Sequence, residues 1–152
     1  MANNYTYCAH VLDGITDEER KWIIPRMSED WWEKNHEEEF MGFEMEMEGD
    51  GDLLRVQGRN VAPDQVTWFI RNFLHEFRPD NHEIVEFAHT CDSLRAGEFG
   101  GSAVLITAQK EVWFNPYELA KQFVSGRELE PFEEDHSTTV DKMKESICKE
   151  ST

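Results

Sequence analysis

Phe43-Glu44-Met45-Glu46-Met47-Glu48 alternates without a break between apolar and carboxylate side chains, and runs straight into Gly49-Asp50-Gly51-Asp52. A period of two does not match the 3.6-residue period of a helix, so this stretch buries one face only as a strand. The glycines supply the positive-φ positions of a tight turn. Leu53-Leu54-Arg55-Val56-Gln57 then reads as the returning strand. A hairpin over 43–58 is therefore the anchor of the expected fold, with Phe43, Met45 and Met47 turned to a core and Glu44, Glu46 and Glu48 turned away.

The remaining elements are spaced around that hairpin. Residues 5–12 mix aromatic and β-branched side chains and stop at Asp13-Gly14, which predicts a first strand and a turn. Thr16 followed three residues later by Glu19 matches a capping box, so a helix starts there. Pro25 has no N–H and clashes inside a helix, and Ser28 is a good cap, leaving one kinked helix or two short ones equally readable. Pro63 opens a helix whose Val66, Phe69, Ile70, Phe73, Leu74 and Phe77 recur three and four apart, one buried stripe. Strands are expected at 84–88, at 102–108 and at 111–114, and a last helix from Asn115-Pro116 to about Gly126. The order through residue 90 predicts an α+β fold, a ferredoxin-like βαββαβ antiparallel sheet with helices on one face, plus an added C-terminal hairpin and helix. Residues 1–126 are expected to form a single domain, and the polar residues 127–152 a mobile or partly helical tail.

Charge narrows the partners. The 152 residues carry thirty-two Asp and Glu against fifteen Lys and Arg, a net charge of −17. Such a field repels phosphate and anionic lipid, so direct binding to nucleic acid or to a membrane surface is not expected. The charge is uneven: residues 13–52 are net −11, residues 53–124 net −2 and residues 125–152 net −4. That distribution predicts one negative face, or else a solvated helix and hairpin surface. No basic-then-apolar leader and no membrane-length apolar run is present, and three widely spaced cysteines, Cys8, Cys91 and Cys148, suit a reducing compartment. A cytoplasmic chain with free thiols is the expectation.

Several groups are candidates for chemistry. Glu44, Glu46 and Glu48 lie roughly 6.8 Å apart along a strand, a linear anionic array able to imitate a phosphate backbone. Glu37, Glu38, Glu39, Asp50 and Asp52, with Glu29, Asp30 and Glu33, widen it if the adjoining helix end lies beside the hairpin. A strand edge kept from aggregating by its charges accounts for the same row. Asp50-Gly51-Asp52 lacks the rest of a calcium loop, and the six histidines show no ligand spacing, so no metal and no cofactor is assigned. His89 and Cys91 fall on one side of a strand with Arg95 and Glu98 close in sequence, the minimal composition of a small-ligand pocket or of a nucleophile and base. Arg95 with Gly100 and Gly101 is an anion-pocket candidate. Trp31 and Trp32 cannot both face inward from one helix, so one indole should be partly exposed.

The block from His89 to Ala103, His-Thr-Cys-Asp-Ser-Leu-Arg-Ala-Gly-Glu-Phe-Gly-Gly-Ser-Ala, resembles a segment of small uncharacterised proteins of phages and mobile elements. The small size and acidity are similar to those of phage proteins that imitate DNA to block restriction or CRISPR machinery, although residues 53–124 are closer to neutral than that likeness implies. The resemblance implies a non-enzymatic acidic protein that occupies a basic surface of a nucleic-acid-handling host protein. A ligand-binding protein or enzyme with its pocket near His89, Cys91, Arg95 and Glu98, and a self-assembling protein or homodimer, remain the alternatives.

Overall fold

The alternating stretch and its glycine turn form a hairpin in the computed structural model, which describes residues 3–36, 41–93, 100–125 and 132–135. The fold is α+β, and every strand pair whose register follows is antiparallel. The chain divides into two compact units, Met1–Val66 with Val85–Ser102, and Thr67–Ile84 with Ala103–Thr152.

In the first unit, β1 (Asn4–Leu12) is followed by two helices, α1 (Asp17–Arg26) and α2 (Glu29–Asn35). The capping box is complete: the Thr16 hydroxyl accepts from the Glu19 N–H at 3.2 Å, and the Glu19 carboxylate accepts from the Thr16 N–H at 3.0 Å. Pro25 is accommodated in the last turn of α1, where its missing N–H costs one bond at most. Ser28 then caps α2 by accepting from the Trp31 N–H at 3.2 Å. Of the two possibilities the sequence left open, two short helices are realised. Trp32 is fully buried while Trp31 is partly exposed.

β2 (Glu44–Glu48) and β3 (Leu53–Gly58) pair as the hairpin, and β3 lies beside β1, which in turn pairs with β4 (His82–Cys91), giving the order β2-β3-β1-β4. Cys8, Leu12, Leu54, Val56, Val85 and Phe87 are buried on one face. Three polar devices hold the frame. Arg20 donates from Nε and Nη2 to the Gly51 carbonyl at 3.0 and 2.9 Å, and the Ile15 N–H donates to the Asp52 carbonyl at 2.9 Å, so the start of α1 is stapled to the hairpin turn. Gly51 has φ +85°, and a β-carbon there would stand 2.6 Å from Arg20 Nε, so only glycine serves both the turn and the staple. At the opposite end of the hairpin, the Gly42 N–H donates to Gln65 Oε1 at 2.6 Å, in the helix α3 (Pro63–Phe77). Asp92 accepts from the Asn3 backbone and side-chain amides at 2.8 and 3.0 Å, closing the free ends of β1 and β4.

In the second unit, the α3 residues Phe69, Ile70, Phe73 and Leu74 are completely buried, about 1.5–3 kcal/mol each by burial of apolar area. The order here is β5-β6-β7, from β5 (Gly100–Thr107), β6 (Lys110–Phe114) and β7 (Phe132–Asp135), with β5 and β6 joined by a two-residue turn. Helix α4 (Pro116–Val124) starts at Asn115, whose Oδ1 accepts from the N–H groups of Tyr117 and Glu118. The strand Phe132–Asp135 falls inside the stretch expected to be a tail; it pairs with β6 through its backbone, which the charged sequence Phe-Glu-Glu-Asp does not announce. The rest of 127–152 lies outside the described residues.

Sequence reasoning passed over a buried ion pair. Arg71 on α3 and Glu111 on β6 are 2.5 Å apart with side chains only 4% and 5% exposed, and Trp113 Nε1 donates to the other Glu111 oxygen at 3.3 Å. Arg71→Met leaves the Glu111 carboxylate buried without its counter-ion and is expected to lower the unfolding free energy by about 3–5 kcal/mol. The urea midpoint measures this, and Arg71→Met with Glu111→Leu should recover a large part of the loss.

Candidate functional site

Residues directly opposed across an antiparallel pair point to the same side of the sheet. Between β2 and β3, Glu44 opposes Gln57 and Glu46 opposes Arg55. Between β3 and β1, Gln57 opposes Ala9 and Arg55 opposes Val11. Two rows therefore cross three strands, one of Glu44, Gln57 and Ala9, the other of Glu46, Arg55 and Val11. The same face continues along β1 to Tyr7, opposite Ala88 of β4, and Tyr5, opposite Thr90. The rings of Tyr5 and Tyr7 lie side by side, 6.4 Å apart. Two residues before Ala88, Glu86 points the same way and is exposed.

This face is open to water. Tyr7 is 39% and Val11 46% exposed, and Glu44, Glu46, Ala9 and Ala88 are exposed as well. It carries an apolar strip on β1, flanked at one side by Gln57 and Arg55 of β3 and then the carboxylates of β2, and at the other by Glu86 of β4. Glu48 differs from its two neighbours on β2: its Oε1 is 2.6 Å from Arg55 Nη2, a half-exposed pair worth at most about 1 kcal/mol. Glu44 and Glu46 have no ion-pair partner among the described residues, although Arg55 stands opposite Glu46. Asp50 and Asp52 are exposed at the turn.

The helix end brought to this turn is the start of α1, where Asp17 is held 2.7 Å from Arg20. Helix α2, which bears Glu29, Asp30 and Glu33, is tied instead to the entry of β2, where Trp32 meets Phe43 edge-on at 5.4 Å between ring centres. Glu37, Glu38 and Glu39 lie outside the described residues.

The second candidate is differently built from what its sequence implies. His89 and Cys91 do share one side of β4, the side opposite Ala88 and Glu86. The imidazole, however, is bracketed by two hydroxyls from neighbouring strands: Nδ1 is 3.2 Å from Thr6 Oγ1, and Nε2 is 3.2 Å from Ser102 Oγ. Both ring nitrogens thus have partners, and His89 works as a bridge from β1 through β4 to the opening of β5. Neither Thr6 nor Ser102 is near His89 in sequence, and nothing in the local pattern marks them. Gly101 lies close against β4, where a β-carbon would stand 3.3 Å from the Phe87 carbonyl oxygen. Arg95 and Glu98 lie outside the described residues. Among the described residues, no three His, Cys, Asp or Glu side chains gather as a metal site, and no helix is long and apolar enough to cross a membrane.

No protein family, curated protein or solved structure matches this chain.

Cys8 faces the core from β1, and burial pushes its thiol up from 9.0 to about 11, which keeps it protonated and unreactive at neutral pH. The folded chain therefore holds this proton where the unfolded chain has released it. The associated stability is complete below the unfolded value near 9.0 and is lost as pH rises through about 11. Chemical unfolding across that range should show a midpoint that falls more steeply in the native sequence than in Cys8→Ala.

Proposed function

We propose that this chain is a non-enzymatic acidic binding protein that occupies a basic surface of a nucleic-acid-handling partner, as a phage-encoded DNA-imitating inhibitor does, within the cytoplasm of a bacterial host. The observation that carries this is the pair Glu44 and Glu46, exposed on the outward face of β2 without a counter-ion among the described residues. Their spacing of roughly 6.8 Å is set by the strand rise, so the charge array is rigid rather than a property of flexible side chains alone. Exposed Asp50 and Asp52 extend it around the turn that Arg20 holds in place. A net charge of −17 adds long-range attraction for a cationic partner and repulsion for DNA itself.

The frame beneath it we read as ferredoxin-like, with its helices on one face and a hairpin and helix added after it. The antiparallel order β2-β3-β1-β4, with α1 and α2 between the first two strands in sequence and α3 between the last two, supports the first part. The register pairing Ala103 with Phe114 through Ile106 with Glu111 supports the added hairpin. Domains of this kind host unrelated activities, so the function rests on the face and not on the topology.

Immobilised chain incubated with bacterial lysate at low salt is expected to retain proteins that bind DNA on their own. These should elute with added double-stranded DNA or as the salt is raised, because counterions compete for both charged surfaces. Glu44→Gln with Glu46→Gln should weaken retention at least about threefold, a loss in the range of rim charges. Retention unaffected by that pair of substitutions and by DNA would remove the proposed role.

A further inference from the structure

The occupant of this face has a shape as well as a charge. We propose that the outward face of β1, between the β2 carboxylates and Glu86 of β4, seats a basic amphipathic helix of the partner protein. This rests on the acidic-binding reading and adds to it the partner's local structure.

The observations define both chemistry and size. Tyr7 and Val11 are large apolar side chains left 39% and 46% exposed on the same face of β1, with Ala9 exposed between them and Ala88 exposed opposite Tyr7. A row of purely solvated charge needs no such strip, whereas an interface core flanked by a charged rim does. Three interstrand steps separate β2 from β4, about 14 Å, while a helix with its side chains is about 10–12 Å across. A helix lying along β1, one interstrand step from β4 and two from β2, therefore rests its apolar stripe on Tyr7 and Val11, while long basic side chains on its flanks reach across β3 to Glu44 and Glu46 at one side and to Glu86 at the other.

From Tyr5 to Val11 the strand is about 20 Å long, which corresponds to about fourteen helical residues. Glu44, Glu46, Glu48 and Glu86 outnumber Arg55 on this face, so the helix flanks must be basic. The same sign of charge disfavours a second copy of this chain, a nucleic acid or an anionic membrane in this place.

The test uses the full chain and two synthetic peptides of identical composition. One has leucines at i, i+3, i+4 and i+7 with lysines on both flanks; the other has the leucines scattered around the helix. Fluorescence anisotropy at low salt should show the patterned peptide binding at least about tenfold tighter, with circular dichroism showing it helical when bound. Tyr7→Thr with Val11→Thr, both exposed and strand-compatible changes, should abolish that preference while leaving the scattered peptide's affinity in place. Ala9→Gln is a second, uncharged disruption that leaves the buried face untouched and should act likewise. Glu44→Gln with Glu46→Gln should weaken both peptides together.

Equal affinity for the two peptides, a preference that survives the Tyr7/Val11 and Ala9 changes, or a bound peptide that is not helical overturns the helix seat and leaves the charge-based role standing. Binding of neither peptide at low salt overturns both.

Discussion

The register in which β1 is held between β3 and β4 decides which side chains the first unit shows to water. Val11 opposite Arg55, and Arg55 opposite Glu46, place an apolar residue, a cation and an anion in one line across three strands. Because side chains alternate, a slip of one residue would turn Cys8 and Leu12 outward and bury Tyr7 and Val11 in their place. The burial of Leu12, Leu54, Val56 and Val85 makes that slip costly, so the outward face is specified by what lies on the inward one. The candidate surface and the core are two readings of a single alternation.

Polar anchors at the strand ends keep that register from fraying. The Arg20 guanidinium on the Gly51 carbonyl, the Gly42 amide on Gln65 and the Asn3 amides on Asp92 each join segments that are distant in sequence. Arg20 has a second consequence for charge. By engaging the turn carbonyl and Asp17 together, it leaves the Asp50 and Asp52 carboxylates exposed at the tip. Arg55 likewise takes Glu48 and leaves Glu44 and Glu46 without an ion pair among the described residues. Arg20 and Arg55 thus stiffen the hairpin more than they neutralise it.

His89 shows how topology changes the meaning of a residue. Beside Cys91 in sequence it reads as half of a catalytic pair; in the sheet its neighbours are the hydroxyls of Thr6 and Ser102, which arrive from other strands. Arg71 and Glu111 make the same point more strongly. On their own elements each is one more polar residue, and only their convergence makes a buried ion pair. Contacts of this kind leave no periodic trace in a chain, because they depend on which elements become neighbours and not on what lies three, four or two positions away.

Short-range order was legible from the residues alone: the alternating hairpin strand and its glycine turn, the Thr16 and Ser28 caps, the Asn115 cap and the stripe from Val66 to Leu74 all follow from local sterics and periodicity. The chain also carried its overall negative charge and its concentration in residues 13–52 openly. Strand order, the Arg20 staple, the seating of Tyr7 and Val11 between carboxylates, and the pairing of Phe132–Asp135 with β6 came from folding. They had to, since each depends on residues brought together from far along the chain, and a side chain's exposure is settled by its neighbours in space.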